Sequence, residues 1–290
     1  MKKIKFIVPF AISIFTAAAV YTYNWPLENA ENTNIKSYFG QNINNSVSTS
    51  IIFKDPSDIT AIGDGKLLML ISDDKDESLL FPSSLGTSVL IAHKDDLVSV
   101  YANLERDTIP AEITNGKEIA TGDKIGSTGN SGFQVTRSNL EFQIFDTAKS
   151  SAINPRIFMP RYENEIPLYI SDLKLVNKNG ESFPLTNSTV LKSGLYKLYM
   201  RRNPIACPYK TAVSINGVEV DRISYDKIDE ETNKIFLVGK KQYINTDIYP
   251  DSEYQLIGEA MLTPGRSTLG ISVEDFIGND KRINYVVEIR

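Results

Sequence analysis

The stretch GTSVLIAHKDDLVSVYANL, residues 86–104, decides the fold. Its two arms, SVLIAHK and LVSVYANL, fit β-strands with a period near two. The same period returns in NLEFQIF, residues 139–145, where three apolar residues alternate with polar ones. Turn-forming sequences such as GDG, TNG and TGNSG separate these segments. The pattern predicts a β-sheet built from short strands.

The C-terminal half continues this pattern. Strand-like segments such as LYKLYM, TAVSINGVEV, KIFLVG and LGISVEDF recur at a spacing of roughly ten residues, which is typical of a β-sandwich. A boundary is indicated in NPRIFMPRYENEIPLY, residues 154–169, which contains three prolines and a cluster of charges. We therefore predict an all-β protein with an immunoglobulin-like sandwich over residues 163–290.

The N-terminus has the features of an export segment. MKKIK supplies a positive end, and an uncharged run of 18 residues follows, Phe6 to Tyr23. A signal peptide and a membrane-anchoring helix both fit residues 1–23, and the polar residues 24–36 are predicted to form a linker. We expect an exported protein of the periplasm or cell envelope. Any membrane contact, including anchoring to the inner membrane, is expected only through this segment.

Composition excludes several classes of function. A net charge of -5 and a pI of about 5.2 disfavour nucleic-acid binding, which usually needs a basic face. Cys207 is the single cysteine, so an internal disulfide is impossible, and its apolar surroundings predict a small buried side chain. A catalytic thiol is disfavoured because the chain has one histidine, His93, to serve as its partner.

Five motifs in order carry a resemblance to a known family. They are Phe39-Gly40, AIGDGKL from Ala61, the stretch 86–104, NGKEIATGDKIGSTGNSG at 115–132, and INP at 153–155. Together they resemble the lysostaphin/LytM-type zinc peptidases, which cut peptide cross-links in peptidoglycan. The resemblance implies a LytM-type β-sheet domain over residues 37–162. It also implies that the second half resembles the β-sandwich that follows the peptidase domain in some envelope members.

The same resemblance shows that the family's chemistry is missing. Its zinc ligands, two histidines and one aspartate, correspond to Ser46, Ser50 and Glu141 here. Its two further histidines, which orient water and stabilise the oxyanion, correspond to Asn103 and Asn139. Amides do not titrate, so these positions cannot relay protons. We expect no catalytic residue, no bound metal and no other cofactor.

Asparagine in place of histidine preserves polarity and hydrogen bonding, so a peptide-binding groove is expected to survive without cleavage. The candidate groove residues are Tyr101, Asn103, Asn139, Glu141 and Gln143. The competing interpretation is that these are merely exposed strand residues. His93 falls on a strand-end position that is not a ligand in the family, and it is expected to be a structural, partly buried imidazole.

Three functions follow as hypotheses. The first is non-catalytic binding of peptidoglycan or regulation of a cell-wall hydrolase. The second is an active zinc metalloendopeptidase with relocated ligands, assembled from His93, Glu141 and Asp55 or Asp58. The third is a purely structural envelope protein in which both β-modules are spacers.

Overall fold

The computed structural model describes residues 23–28, 30–43, 46–54, 57–72, 83–116, 118–132, 139–186, 190–232 and 234–290. The predicted export segment, residues 1–22, lies outside these ranges. In the part of the chain that is described, no helix is long and apolar enough to cross a membrane.

The regular secondary structure of the first half, among the described residues, is almost entirely β-strand. Its strands are β1 (Ile35–Ser37), β2 (Asn42–Ile43), β3 (Ser46–Val47), β4 (Ile51–Phe53), β5 (Asp58–Thr60), β6 (Gly65–Ile71), β7 (Ser88–Ala92), β8 (Leu97–Ala102), β9 (Glu118–Ile119), β10 (Lys124–Ser127), β11 (Leu140–Asp146) and β12 (Ser151–Ile153). Its helical segments are the 3-10 turns Asn32–Asn34, Arg106–Thr108 and Pro155–Ile157 and the single-turn helix α1 (Ala111–Thr114).

The second half has the same character. Its strands are β13 (Lys174–Asn177), β14 (Ser182–Pro184), β15 (Val190–Leu191), β16 (Gly194–Arg201), β17 (Lys210–Ile215), β18 (Val218–Ser224), β19 (Lys227–Glu231), β20 (Lys234–Val238), β21 (Gln242–Ile244), β22 (Tyr254–Leu262), β23 (Gly265–Glu274) and β24 (Asp280–Ile289). One short helix, α2 (Asn245–Ile248), follows β21. The all-β prediction is confirmed.

A large sheet is centred on β11, the strand that the alternating sequence NLEFQIF forms. β11 pairs antiparallel with β8, β4 and β12, and the path through its neighbours runs β21-β20-β19-β12-β11-β8-β7-β6-β9. Leu140, Phe142 and Ile144 are buried, because residues of one parity along a strand share a face. Removing a side chain of this size from water contributes roughly 1.5–3 kcal/mol.

This sheet crosses the predicted domain boundary. β12 pairs with β19, with Ser151 opposite Asp229 and Ile153 opposite Lys227. Strands β19, β20 and β21 therefore extend a sheet whose other strands come from the first half. The boundary near residue 162 stays a prediction, and the hydrogen-bonded ladder is continuous across it.

The remaining C-terminal strands form two further sheets around a second core. The four-stranded sheet runs β14-β13-β16-β22, and the five-stranded sheet runs β15-β24-β23-β17-β18. Leu198 and Ile257 of the first sheet share one buried cluster with Val213 and Leu269 of the second. The two sheets thus make a sandwich, and its assignment as immunoglobulin-like stays a prediction.

Candidate functional site

The structure brings the three predicted metal positions together. Ser46 on β3, Ser50 just before β4 and Glu141 on β11 all line one open groove with a volume of about 700 Å³. The sheet explains this convergence, because Glu141 lies opposite Ile52 of β4 on one side and Ala102 of β8 on the other. The short β2–β3 hairpin brings Ser46 over the same edge.

The side chains at these positions do not suit a catalytic zinc ion. The Oγ atoms of Ser48 and Ser50 are 3.3 Å apart, and the Ser50 N–H donates to Ser48 Oγ at 3.2 Å. The Glu141 carboxylate accepts a hydrogen bond from Gln143 Nε2 at 2.9 Å. Catalytic zinc takes about three ligands from imidazole, thiolate and carboxylate groups, whereas this set offers two hydroxyls and one carboxylate. Among the described residues, no three His, Cys, Asp or Glu side chains cluster as a metal site.

Asn103 is a buried structural residue whose side chain bonds to three backbone groups. It is only 1% exposed and has a left-handed backbone, with φ of 65°. Its amide nitrogen donates to the carbonyl oxygens of Gly129 at 3.0 Å and Asn139 at 2.7 Å, and its Oδ1 accepts from the Gly132 N–H at 2.8 Å. Both donors and the acceptor of this side chain are therefore bonded to backbone groups, and none faces the groove.

Asn139 is also buried, with 2% of its surface exposed. We call Asn103 and Asn139 the amide pair. Both were expected on the groove surface, and the structure places both beneath it. The cause is the contact between Asn103 and the Asn139 carbonyl, which ties the end of β8 to the start of β11. The Asn103 side chain links the two strands, and both side chains of the amide pair are buried away from a ligand.

Two other groove candidates are also placed differently. Tyr101 is fully buried, its hydroxyl accepts the Ile62 N–H at 2.9 Å, and its ring contacts Phe142. Tyr101 lies opposite Phe142 in the β8–β11 ladder, and facing residues point to the same side of a sheet. Its side chain therefore lies in the core and not in the groove. Gln143 shares the face of Glu141 but is 7% exposed, so Glu141 remains as the accessible candidate.

His93 is held by hydrogen bonds at both ring nitrogens. Nδ1 lies 2.8 Å from the Asp64 carbonyl oxygen, and Nε2 lies 2.7 Å from Ser99 Oγ. A carbonyl only accepts, so Nδ1 carries the proton and the Ser99 hydroxyl donates to Nε2. Burial lowers the pKa of His93, against the opposing effect of the Asp64 carbonyl. The imidazole is thus neutral at pH 7 and engaged within the fold.

A relocated zinc site from His93, Glu141 and Asp58 finds no geometric support. Ser99, which binds His93, lies three residues before Ala102, the partner of Glu141. An odd separation puts Ser99 and Glu141 on opposite faces of the sheet. Asp58 accepts bonds from Ser127 Oγ at 2.6 Å and Lys124 Nζ at 2.9 Å, and these contacts lower its pKa. Asp55, the other carboxylate of that hypothesis, lies outside the described residues.

The sequence did not reveal that the C-terminal half forms part of the groove. Arg202 and Pro204, which follow β16, line it together with Lys36 of β1. Gln41 Nε2 donates to the Pro204 carbonyl at 3.2 Å and holds this segment in place. We call residues 202–204 the wall segment. A contact between positions more than 160 residues apart leaves no local signal in a single sequence.

Gly40, part of the Phe39-Gly40 motif of the first domain, contacts two tyrosines of the C-terminal half. It has φ of +79°, and a Cβ atom there would lie 2.5 Å from the Tyr225 ring. The Gly40 carbonyl accepts the hydroxyl of Tyr249 at 2.7 Å. Only glycine combines this backbone conformation with such a close approach of an aromatic ring. The Phe39-Gly40 turn therefore packs against Tyr225 and binds the hydroxyl of Tyr249.

Cys207 is a free, half-buried cysteine. Burial raises the pKa of its thiol to about 12, so the thiolate form is scarce at neutral pH and the thiol is a poor nucleophile.

Comparison with known proteins identifies the first module. Residues 45–155 match the model for Peptidase family M23, and a second family model, which specifies no activity, matches residues 167–290. An uncharacterized protein of Treponema pallidum (strain Nichols) is 23% identical over 135 residues, covering 44% of this chain and 89% of that protein.

Solved structures also resemble part of the chain. A zinc containing peptidase from Vibrio cholerae is 20% identical with a TM-score of 0.34, and the match covers 43% of this chain and 36% of that one. A chain of the SpoIIQ–SpoIIIAH pore forming complex is 20% identical with a TM-score of 0.35, covering 49% of this chain and 92% of that one. The family match establishes that the protein carries an M23-type, LytM-like domain at residues 45–155.

Proposed function

We propose that this protein is an exported, non-catalytic member of the M23 type whose groove binds peptidoglycan peptides in the cell envelope. The amide pair carries the proposal. At the two positions where the family has histidines to handle protons, this chain has buried amides, and Asn103 is fully bonded to backbone. Hydrolysis of a peptide bond needs a group that titrates near the working pH, and an amide does not.

The groove supports the binding part of the proposal. Its lining is rich in hydroxyl and amide side chains, namely Ser37, Gln41, Asn42, Ser46, Ser48, Thr49, Ser50 and Ser84. Such groups suit an extended peptide, whose unpaired N–H and C=O groups need hydrogen-bonding partners. The groove is open and about 700 Å³ in volume, which is ample for a few residues of peptide. Export is supported by the basic, then apolar, N-terminal sequence.

Retention on purified sacculi tests the binding. In Ser46→Trp, an indole would fill the groove from an exposed strand position without entering the core. The matched control is Ser182→Trp, an exposed serine on the edge strand β14 of the sandwich. We expect the wild type and Ser182→Trp to be retained equally and Ser46→Trp to be lost from the pellet. Equal retention of all three proteins would place binding outside the groove.

Metal analysis separates the proposal from the active-enzyme hypothesis. One tightly held zinc ion per chain, with wall-lytic activity that a chelator abolishes, would establish the zinc endopeptidase and refute a non-catalytic role. If sacculi retain nothing while an envelope extract supplies a captured wall hydrolase, the groove is a protein-binding site. If neither is captured, the spacer hypothesis is favoured.

A further inference from the structure

Arg202 is a cation that the C-terminal half places in the groove of the M23-type domain. It directly follows β16, and its backbone N–H donates to the Glu253 carbonyl at 2.8 Å. Its side chain is half-buried, and the residue lines the same groove as Ser46, Ser50 and Glu141.

The position of Arg202 is fixed by contacts on both sides. Gln41 holds Pro204, two residues further along, and the Tyr249 hydroxyl holds the Gly40 carbonyl. Burial raises the pKa of Tyr249, and the positive charge of Arg202 opposes that rise, so the guanidinium lies within electrostatic reach of this hydroxyl. The charge therefore lies beside the turn that leads into the β2–β3 hairpin.

The two neighbouring arginines differ in their partners. Arg201 Nε binds Asp172 Oδ2 at 2.5 Å, and its Nη1 lies 3.6 Å from Glu253 Oε2. Arg202 forms no ion pair with any carboxylate in the described ranges. A planar guanidinium that presents two parallel N–H groups is well matched to an incoming carboxylate.

We propose that Arg202 is the anion-recognition residue of the groove and binds a carboxylate of the peptide that lies along the serine-rich hairpin. This inference rests on the proposed function, because it names the group of the peptidoglycan peptide that is recognised. It makes the second module part of the binding site, so that neither module completes the site alone.

The test compares Arg202→Gln with Arg201→Gln on sacculi in three forms. The first form is untreated, the second has been stripped of phosphate polymers with hydrofluoric acid, and the third is stripped and then has its carboxylates converted to amides. We expect Arg202→Gln to weaken binding to the first two forms by about ten- to a hundredfold, as expected for loss of a charge-assisted hydrogen bond. Arg201→Gln, which removes the same charge at a paired site, is expected to bind within about twofold of wild type.

Amidation separates recognition from simple attraction of charges. Amidation of the stripped sacculi should weaken wild-type binding as much as Arg202→Gln does on sacculi that are not amidated. Amidation should weaken binding of the Arg202→Gln variant only slightly further. Arg202→Lys should recover only part of the affinity, because an ammonium keeps the charge but lacks the fork. Thermal melting of each variant checks that it is folded.

The outcomes distinguish this inference from the function on which it rests. Wild-type binding that is insensitive to both Arg202→Gln and amidation would overturn the role of Arg202 and leave peptidoglycan binding intact. Loss of binding on removal of phosphate polymers alone would overturn the carboxylate assignment. Failure of the wild type to bind any form would overturn both.

Discussion

The amide pair lies beneath the groove and the wall segment lines it, and the two use their polar groups in different ways. Asn103 bonds both of its donors and its acceptor to the backbone of the first module. Arg202 comes from the second module and has no ion-pair partner in the described part of the chain. The two positions that correspond to the family's further histidines are internal here, while a polar group from outside the M23-type domain lines the groove.

Under the proposed non-catalytic function, this difference explains how such a groove persists without the family's chemistry. A buried side chain that replaces a catalytic histidine must satisfy its own hydrogen bonds, and the nearest partners are backbone groups. The side chain then stabilises the frame. Under the same proposal, recognition depends on residues that still line the groove, here Glu141 and the wall segment.

The largest effect is expected for Asn103→Ala. It removes three buried hydrogen bonds at roughly 1 kcal/mol each and places alanine in a left-handed backbone, so unfolding should become easier by about 4 kcal/mol. Asn216→Ala is the control, since Asn216 has φ of 50° and one hydrogen bond through its Oδ1, from the Thr268 N–H. Its expected cost in urea denaturation is about 1–2 kcal/mol. Equal losses of unfolding free energy in the two variants would show that the hydrogen bonds of Asn103 do not stabilise the fold.

A somewhat smaller effect is expected at Gly40, where two tyrosines of the C-terminal half contact the first module. Gly40→Ala combines a left-handed backbone with a Cβ atom 2.5 Å from the Tyr225 ring, and should cost about 2–4 kcal/mol. Gly116→Ala has φ of +74° and nothing within 4 Å of the new atom, so it should cost only about 1 kcal/mol. The difference in urea midpoint between the variants measures the contact between the modules. Equal urea midpoints for the two variants would mean that the Tyr225 ring moves aside at no cost in stability.

The pH dependence of stability tests whether His93, another polar side chain bonded within the fold, has a structural role. Because its folded pKa is lowered by burial, the unfolded chain binds the proton more readily. Stability should therefore fall as pH drops below about 6.5, the value for an exposed histidine. His93→Asn should lose less stability than wild type between pH 7.5 and pH 5 in thermal melts, while carboxylates titrate alike in both. Identical pH profiles would contradict the structural role of this imidazole.

The smallest effect is expected from restoring the family's ligands. Ser46→His, Ser50→Asp and Glu141→His together rebuild the set of two imidazoles and one carboxylate that catalytic zinc accepts. We expect no cleavage of peptide cross-links, because Asn103 and Asn139 still lack imidazoles and lie beneath the groove. Release of cross-link fragments from sacculi, followed by mass spectrometry, is the measurement. Measurable cleavage would show that the amide pair is not what silences the site.

Local pattern predicted much of the fold. Period-two alternation located β7, β8 and β11, and the ordered motifs identified the M23-type domain, which the family match confirms. Alternation did not place Tyr101, because the apolar parity of β8 is that of Val98 and Val100. Its burial follows from the register that puts Tyr101 opposite Phe142, and a single sequence does not give the register between two strands.

Other features depend on contacts between distant segments. Asn103 matches a catalytic position equally well whether it faces solvent or the backbone, and its burial accompanies hydrogen bonds to Gly129 and Gly132 that the sequence does not indicate. The wall segment and the pairing of β12 with β19 join the two halves of the chain. A single sequence contains no periodicity that links such positions.

The pairing of β12 with β19 has a mechanical consequence. Backbone hydrogen bonds from the Glu230 N–H to the Ser150 carbonyl at 3.1 Å and from the Asn154 N–H to the Asp226 carbonyl at 2.8 Å join the C-terminal half to the strand next to β11. Asn154 Nδ2 adds a bond to the Tyr225 carbonyl at 2.9 Å. Tension applied to that half would be transmitted through β12 to β11, the strand that carries Glu141 of the groove. If the protein is anchored and wall-bound, as proposed, strain between its two halves would therefore change the shape of its own ligand site.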